Sequence, residues 1–303
     1  MKGKGKKRGL FLGIFFACTI GLSLQAAEFA NPQYLIETKD LMVKMGQPGL
    51  VVVDVRIPEA YELGHIKGAI NISVKLTQGT VKGVKEMMLP VADLEKLLGS
   101  KGISPESFVV LYDENVQDFS TLFFWTLDML GHKKMAVLNG GVSKWAKEGL
   151  SISTEETKLP PAKYTAQHDP SKLATIEDVK KAIGKKEIIL VDTRSPKEYK
   201  GETPGTAVAR AGRIPGAVGI DWVNNSATKG GFKVYKSADE LMAMYEKEKV
   251  TKDKEVIVYC RTALRSSNTY FVLKLLGYPK IKNYDGSMIE WGNISDLPLE
   301  KGK

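Results

Sequence analysis

The sequence predicts an α/β protein built as two tandem copies of one domain, each a central parallel sheet flanked by helices. Three observations carry this reading: an internal repeat, short β-branched runs alternating with longer helical segments, and a length of 303 residues at 43% hydrophobic and 26% charged content. Two domains are expected at roughly 150 residues each. The composition is that of a globular chain, which excludes disordered, collagen-like and polytopic membrane classes.

The repeat is read directly. VVVDVRIPEAY at 51–61 returns as ILVDTRSPKEY at 189–199, an offset of 138. GHIKGAI at 64–70 returns as GRIPGAV at 212–218 (offset 148), VVLYD at 109–113 as VIVYC at 256–260 (147), and NGGVSKW at 139–145 as DGSMIEW at 285–291 (146). Four blocks in one order mark a duplicated domain. The step from 138 to 148 places a ten-residue insertion in the second copy, between Tyr199 and Gly212.

Taken in chain order, residues 1–26 come first. Lys2, Lys4, Lys6, Lys7 and Arg8 precede the apolar stretch LFLGIFFACTIGLSL and the small pair Ala26-Ala27. This is the layout of a secretory signal, and its apolar run of about 15 residues is short of the about 20 a spanning helix needs. Cleavage near Ala26 or Ala27 is expected, giving an exported protein, periplasmic if bacterial, with no stable membrane association. An uncleaved anchor and a lipid-modified Cys18 are weaker alternatives, since Phe15-Phe16-Ala17 fits a lipobox poorly. The segment also explains the charge. Five of the 44 basic residues and none of the 35 acidic ones lie in it, so the net +9 falls to +4 in the remainder and no nucleic-acid partner is implied.

The N-terminal copy spans 31–150, with buried strands read at Leu50–Val53 and Val109–Tyr112 and a helix over Ser120–Leu130. A linker, interrupted by Pro160-Pro161, covers 151–173. The C-terminal copy, 174–303, repeats the pattern with strands at Ile188–Val191 and Val256–Tyr259 and a helix over Ser266–Leu276. Phe271 and Leu275, and Val272 and Leu276, stack at i,i+4 on that helix, and Gly131 and Gly277 fall where helix C-terminal caps belong. Alternating strands and helices imply parallel sheets covered on both faces.

The chemistry-bearing residues are few. Two cysteines exclude a disulfide scaffold or a four-cysteine zinc site, and three histidines, His65, His132 and His168, make a histidine-rich metal cluster improbable. After export one thiol remains, Cys260. It stands at the carboxyl end of a buried strand in VIVYCRTALRSS, 256–267, where a tight loop from Cys260 to Arg265 leads into a helix. Sites in open α/β sheets form at such strand ends. The loop amides and helix N-terminus favour a thiolate there, and Arg261 and Arg265 add positive charge. The expected ligand is a small anion: thiosulfate, sulfite, a sulfenate-like group or phosphate.

On these residues the chain resembles the tandem-domain rhodanese family of thiosulfate sulfurtransferases. The repeated (V/L)VD-x-R, G(H/R)I-x-GA and DG-x4-W blocks carry the resemblance along the whole mature length. It implies two rhodanese-like domains, a catalytic C-terminal copy with Cys260 at the head of a six-residue loop, and a non-catalytic N-terminal copy. Cys260 is then the nucleophile that takes a sulfane sulfur as a persulfide and passes it to a thiophilic acceptor such as cyanide or a thiol. Arg194, Arg261, Thr262, Ala263, Leu264 and Arg265 bind the donor, with no metal and no cofactor. Arg194 otherwise reads as a structural partner of Asp192 or Glu198. Ala263 stands where many members carry glycine, so a positive φ there would cost about 1–2 kcal/mol. Arg261-Thr262 leans toward thiosulfate over 3-mercaptopyruvate without deciding between them.

In the first copy Asp113 occupies the place of Cys260, followed by Glu114 and, four positions further, Asp118, so that copy is expected to be catalytically silent. A divalent metal on these three acids is a minor possibility. His65, His132, Trp145 and Trp291 read as structural. Arg210 and Arg213, in and beside the insertion 200–211, read as solvated arginines, with anion attraction a weaker reading. Rival functions are a non-enzymatic persulfide carrier, which would use the same Cys260, and a phosphatase. A phosphatase loop sets its arginine six positions after cysteine, where this chain has Ser266.

Overall fold

The computed structural model describes residues 1–3, 28–115 and 118–302; the predicted cleavage position at Ala26 or Ala27, and Cys18, lie outside them. No helix among the described residues is long and apolar enough to cross a membrane. The first copy includes the strands β1 (Leu35–Ile36), β2 (Leu50–Asp54), β3 (Ile70–Asn71), the antiparallel hairpin β4 (Gln78–Val81) and β5 (Val84–Met88), β6 (Phe108–Tyr112), which is followed by helix α1 (Asp118–Met129), and β7 (Met135–Leu138), with a separate short antiparallel pair, His65–Ile66 and Ile152–Ser153. The second copy has β8 (Leu173–Ala174), β9 (Ile188–Asp192), β10 (Val218–Gly219), the hairpin β11 (Ser226–Lys229) and β12 (Phe232–Tyr235), then β13 (Glu255–Tyr259), α2 (Leu264–Leu275), β14 (Ile281–Tyr284) and α3 (Ser287–Trp291).

Each copy forms a five-stranded sheet, ordered β1-β7-β6-β2-β3 and β8-β14-β13-β9-β10. Every pairing within these two sheets is parallel. The central strands β6 and β13 are buried from Val109 to Tyr112 and from Val256 to Tyr259. This is why they read as unbroken apolar runs rather than alternating ones.

The duplication extends to individual hydrogen bonds. Tyr61 Oη donates to the Ala69 carbonyl at 2.8 Å and Tyr199 Oη to Ala217 at 2.9 Å. Tyr112 Oη accepts the Ile66 N–H at 3.0 Å, and Tyr259 Oη that of Ile214 at 3.1 Å. The tryptophans of the last block are core in both copies, Trp145 Nε1 donating to Ser151 O and Trp291 Nε1 to Pro298 O.

Gly131 and Gly277 close their helices at φ of 76° and 79°. In each case the next N–H returns to a carbonyl five residues back, His132 to Leu127 and Tyr278 to Leu273. The helices begin two residues earlier than the sequence suggests, at Asp118 and Leu264. Ser266 and Ser267 are not start signals: their hydroxyls donate back to the Ala263 and Leu264 carbonyls, so they lie inside the first turns.

The copies meet through α1 and α2. Phe124 and Phe271, counterparts in the repeat, pack edge to face at 4.9 Å, so the two copies are related about a pseudo-two-fold axis near this contact. Tyr270 Oη and Lys274 Nζ both donate to Asp128, and Thr121 pairs with Ser267. The hairpin β4–β5 reaches across as well, the Met88 N–H donating to the buried Asp285 carboxylate at 3.0 Å. The linker lies on the first copy: Ala162 N donates to Gly99 O, Gln167 N to Leu130 O and Asp169 N to Met129 O.

Two outcomes are expected of this interface. Phe271→Ala, at a site with no exposed surface, should cost about 3–5 kcal/mol in urea unfolding; a loss under about 1 kcal/mol would contradict the packing. Burial, with a smaller push from Glu290, raises the Asp285 carboxyl from 3.8 to about 7 against the opposing Met88 N–H. Between those values the folded chain holds more proton than the unfolded one, so this group's contribution to stability falls as pH rises toward 7 and then levels off. Asp285→Asn lacks that loss. Its melting temperature relative to wild type should therefore be higher at pH 8 than at pH 5, and a pH-independent difference would refute the assignment.

Candidate active site

The register of β9 against β13 assembles the site. Asp192 lies beside Tyr259, and the Thr193 N–H donates to the Tyr259 carbonyl at 3.0 Å. Two short segments therefore leave the sheet side by side: Asp192-Thr193-Arg194 and Cys260-Arg261-Thr262-Ala263. Cys260 is fully buried. Because α2 begins at Leu264, the predicted six-residue loop is a four-residue turn, with Leu264 and Arg265 in the first helical turn.

Ala263 adopts φ of 62°. An L-residue there costs about 1–2 kcal/mol, and the surroundings hold it in place. Its N–H donates to Ser287 Oγ at 3.1 Å, and its carbonyl accepts from Ser267 N, Ser266 Oγ and Asn283 Nδ2. Ser287 Oγ also accepts the Cys260 N–H at 3.2 Å and donates to Tyr284 O. Ser287, itself at φ of 44°, thus braces both ends of the turn. Among the described residues, the N–H groups of Arg261, Thr262, Leu264, Arg265 and Ser266 donate to no protein acceptor. Such donors at a helix start are the elements of an anion site.

Charged groups surround the turn. Arg265 makes a two-pronged ion pair with Glu198, both contacts 2.8 Å. Burial works against both charges. The Arg265 bonds outweigh it for Glu198, whose carboxyl is lowered to about 2. Burial would also lower Arg265, but the Glu198 bond, with the electrostatic influence of the neighbouring Cys260, raises it.

Arg194 has no exposed side-chain surface. Its Nε donates to Asp192 Oδ1 at 2.9 Å, and its Nη2 to Asp192 Oδ2 at 2.6 Å and to the Gly212 carbonyl at 2.8 Å. Arg56 of the first copy makes the same contacts with Asp54 and Gly64, and adds an Nη1 bond to Glu114 at 3.0 Å. Glu114 follows Asp113, the counterpart of Cys260. In the second copy that next position is Arg261, and Arg194 Nη1 is buried with no partner among the described residues. Arg194 Nη1 is thus the atom whose counterpart in Arg56 is given to Glu114, and the residue in Glu114's place is a second cation, Arg261, whose side chain offers it no acceptor.

Of the predicted residues, Thr262 and Ala263 are buried in the turn, and Leu264 and Arg265 stand on the first turn of α2. Arg261 extends away to Glu86 of the first copy, with contacts of 3.2 and 3.0 Å, and to the Thr206 carbonyl of the insertion. Arg210 and Arg213 are not solvated. Arg210 donates to the carbonyls of Trp291, Gly292 and Leu297, closing the end of α3. Arg213 is buried, stacks over Tyr199 at 4.5 Å and bonds Gly302 O.

Sequence reasoning missed the roles of Glu198, Ser287 and Glu86. Glu198 had a signal, since Ser195 and Glu198 form a capping box. Ser287 lay within a repeated block, opposite Gly141. Glu86 had none, because it arrives from the other copy, 175 residues from Arg261.

In the first copy Asp113 Oδ2 accepts Ser120 N–H and Oγ–H at 3.0 and 2.9 Å. A built-in carboxylate thus takes the donors at the start of α1. Burial and the charge of Asp113 raise the Asp118 carboxyl to about 6. Val116 and Gln117 of this loop lie outside the described residues. His65 and His132 are tied to backbone carbonyls, of Tyr61 and Glu155 and of Ser107 and Lys134, as structural histidines are.

The rhodanese-like domain family matches residues 37–148 and 175–294. A sulfur carrier protein, TtuD, of Thermus thermophilus is 39% identical over 287 residues, covering 91% of this chain and 99% of that protein. A thiosulfate sulfurtransferase of Pseudomonas aeruginosa is 35% identical over 275 residues, covering 90% and 98%. The anaerobic ergothioneine biosynthesis enzyme of Chlorobium limicola shares the fold, with a TM-score of 0.81 at 24% identity over 91% of this chain and 72% of that one. With the duplicated sheet and the matched domains in register, this chain belongs to the rhodanese family, as two rhodanese-like domains in tandem.

Proposed function

We propose that the protein is a sulfurtransferase that moves sulfane sulfur from thiosulfate, or a related anionic donor, to a thiophilic acceptor through a persulfide on Cys260. The observation that carries this reading is Arg194 Nη1, buried and unpartnered among the described residues, in the copy whose strand end carries Cys260. A buried guanidinium N–H without an acceptor costs stability, and an anionic donor supplies that acceptor. The 35% identical relative named a thiosulfate sulfurtransferase supports the same donor.

In the first half-reaction the Cys260 thiolate attacks the outer sulfur of thiosulfate. A new S–S bond forms, the bond to the SO3 group breaks, and sulfite leaves with the electron pair. In the second, cyanide or a thiolate attacks the terminal sulfur, and Cys260 recovers its thiolate. This is covalent catalysis. The unpaired amides of the turn face the same demand in both halves, to hold negative charge on sulfur without reorganising. Asp113 cannot form a persulfide, and its carboxylate already takes the Ser120 donors at the start of α1, so the first copy carries no sulfur of its own. We place the working protein outside the cytoplasm, after removal of the basic, apolar leader.

A second reading, a sulfur carrier, is favoured by the 39% identical relative of that name. It uses the same persulfide without rapid turnover. Thiocyanate formation from thiosulfate and cyanide should be catalytic in the wild type and absent in Cys260→Ser. A wild type that takes up one sulfur atom but does not turn over would establish the carrier instead. Asp113→Ala should keep turnover within a few-fold, and a collapse comparable to losing Cys260 would overturn the silent first copy. Arg194→Lys, whose three N–H groups on one nitrogen can at most replace the three bonds to Asp192 and Gly212 and leave none for a donor, should lower kcat/KM for thiosulfate at least about tenfold; an unchanged value would remove Arg194 from the site.

A further inference from the structure

Arg261, the residue after the nucleophile, makes its ion pair with the other copy rather than with its own. Its guanidinium reaches the β4–β5 hairpin of the first copy and pairs with both carboxylate oxygens of Glu86, at 3.2 and 3.0 Å. Glu86 is built into this position at a cost. Its φ is 58°, left-handed for a non-glycine residue within a strand that also carries a register shift. The strain is about 1–2 kcal/mol, and the Gln78 side chain holds the turn by donating to the Glu86 carbonyl at 2.8 Å. Two residues on, the Met88 N–H binds Asp285, in the segment whose Ser287 braces the Cys260 turn. One strand of the silent copy therefore contacts the turn through an ion pair at Arg261 and its bracing segment through Asp285. Strained residues held in place by their surroundings concentrate at functional positions.

We infer that Glu86 is a positioning and charge-setting residue of the active site: it holds the guanidinium of Arg261, the residue after Cys260, at the hairpin and offsets its charge, which limits how strongly the site favours doubly charged donors over singly charged ones. The pair is partly exposed, with 24% of the Arg261 and 44% of the Glu86 side chain accessible. Its influence on the sulfur is a screened, few-fold effect that shrinks with salt. The preference among sulfur donors rests on the sulfur-transfer reading above; the charge at Cys260 does not.

The experiment compares alkylation of Cys260 by iodoacetate and by iodoacetamide, followed on the Cys260 peptide by mass spectrometry. Both reagents attack the same sulfur, so the ratio of their rates reports local charge and is independent of the ionised fraction. Glu86→Gln keeps an acceptor for Arg261 and removes one negative charge. The iodoacetate-to-iodoacetamide ratio should rise about three- to tenfold. Arg261→Gln should lower the ratio, and the double variant should return close to wild type. A purely structural role does not produce opposite shifts that cancel. Glu86→Asp, which keeps the charge, should stay near wild type, and melting temperatures identify any variant that has lost its fold. In turnover, Glu86→Gln should lower KM for thiosulfate more than for the monoanion methanethiosulfonate, with little change in kcat. An unchanged ratio in Glu86→Gln, single variants that shift the same way, or a Cys260 that neither reagent reaches would overturn the inference. A wild type that forms no thiocyanate while the ratio still shifts would instead remove the donor assignment and leave the charge role standing.

Discussion

The parallel register between β9 and β13 is the constraint on which the site depends. Pairing Asp192 with Tyr259 sets the two strand ends level. The Asp192–Arg194 unit then stands next to the first residue after β13, which is Cys260. A one-residue slip would move that residue away and turn every side chain of the strand to the opposite face. The apolar runs Ile188–Val191 and Val256–Tyr259 fix the register because they are buried in the sheet core. The chemistry of the turn is therefore positioned by hydrophobic burial some distance from it.

The first copy shows what the second has done with this frame. Asp54 and Arg56 repeat the Asp192–Arg194 geometry bond for bond, yet that site is closed upon itself. Asp113 supplies its own anion to the start of α1, and Glu114 takes the remaining N–H of Arg56. Replacing the acidic pair by Cys260 and Arg261 removes both internal anions. It leaves Arg194 Nη1 and the amides of the turn without partners. Buried N–H groups without an internal acceptor favour an anion, which is the role proposed for them. The duplicated domain also acts mechanically: β5 contacts the turn through Glu86 and supports it through Met88 and Asp285.

Much of this was legible in the sequence. The repeat blocks gave the domain count, the apolar runs gave the central strands, and Gly131 and Gly277 marked the helix ends. Cys260 stood out as a thiol at the end of a buried strand, and Ala263 as a residue in a place that favours glycine. Three features were not legible, each for a physical reason. The start of α2 was misread because the loop was carried through Arg265, whereas the left-handed turn at Ala263 lets the helix begin at Leu264. Arg210 and Arg213 were misread because charge alone does not show whether a guanidinium faces water or carbonyls, and here it closes α3 and stacks on Tyr199. Glu86 was invisible because its partner is 175 residues distant and its conformation depends on a hairpin bulge.

In the proposed chemistry one sulfur atom accepts another at the turn that carries Cys260. The most direct test mixes the protein with thiosulfate in the absence of any acceptor, measures the sulfite released, and maps the mass of its peptides. One sulfite per chain, with one added sulfur on the peptide that contains Cys260, is the predicted result. No release, or sulfur carried anywhere else in the chain, would contradict it.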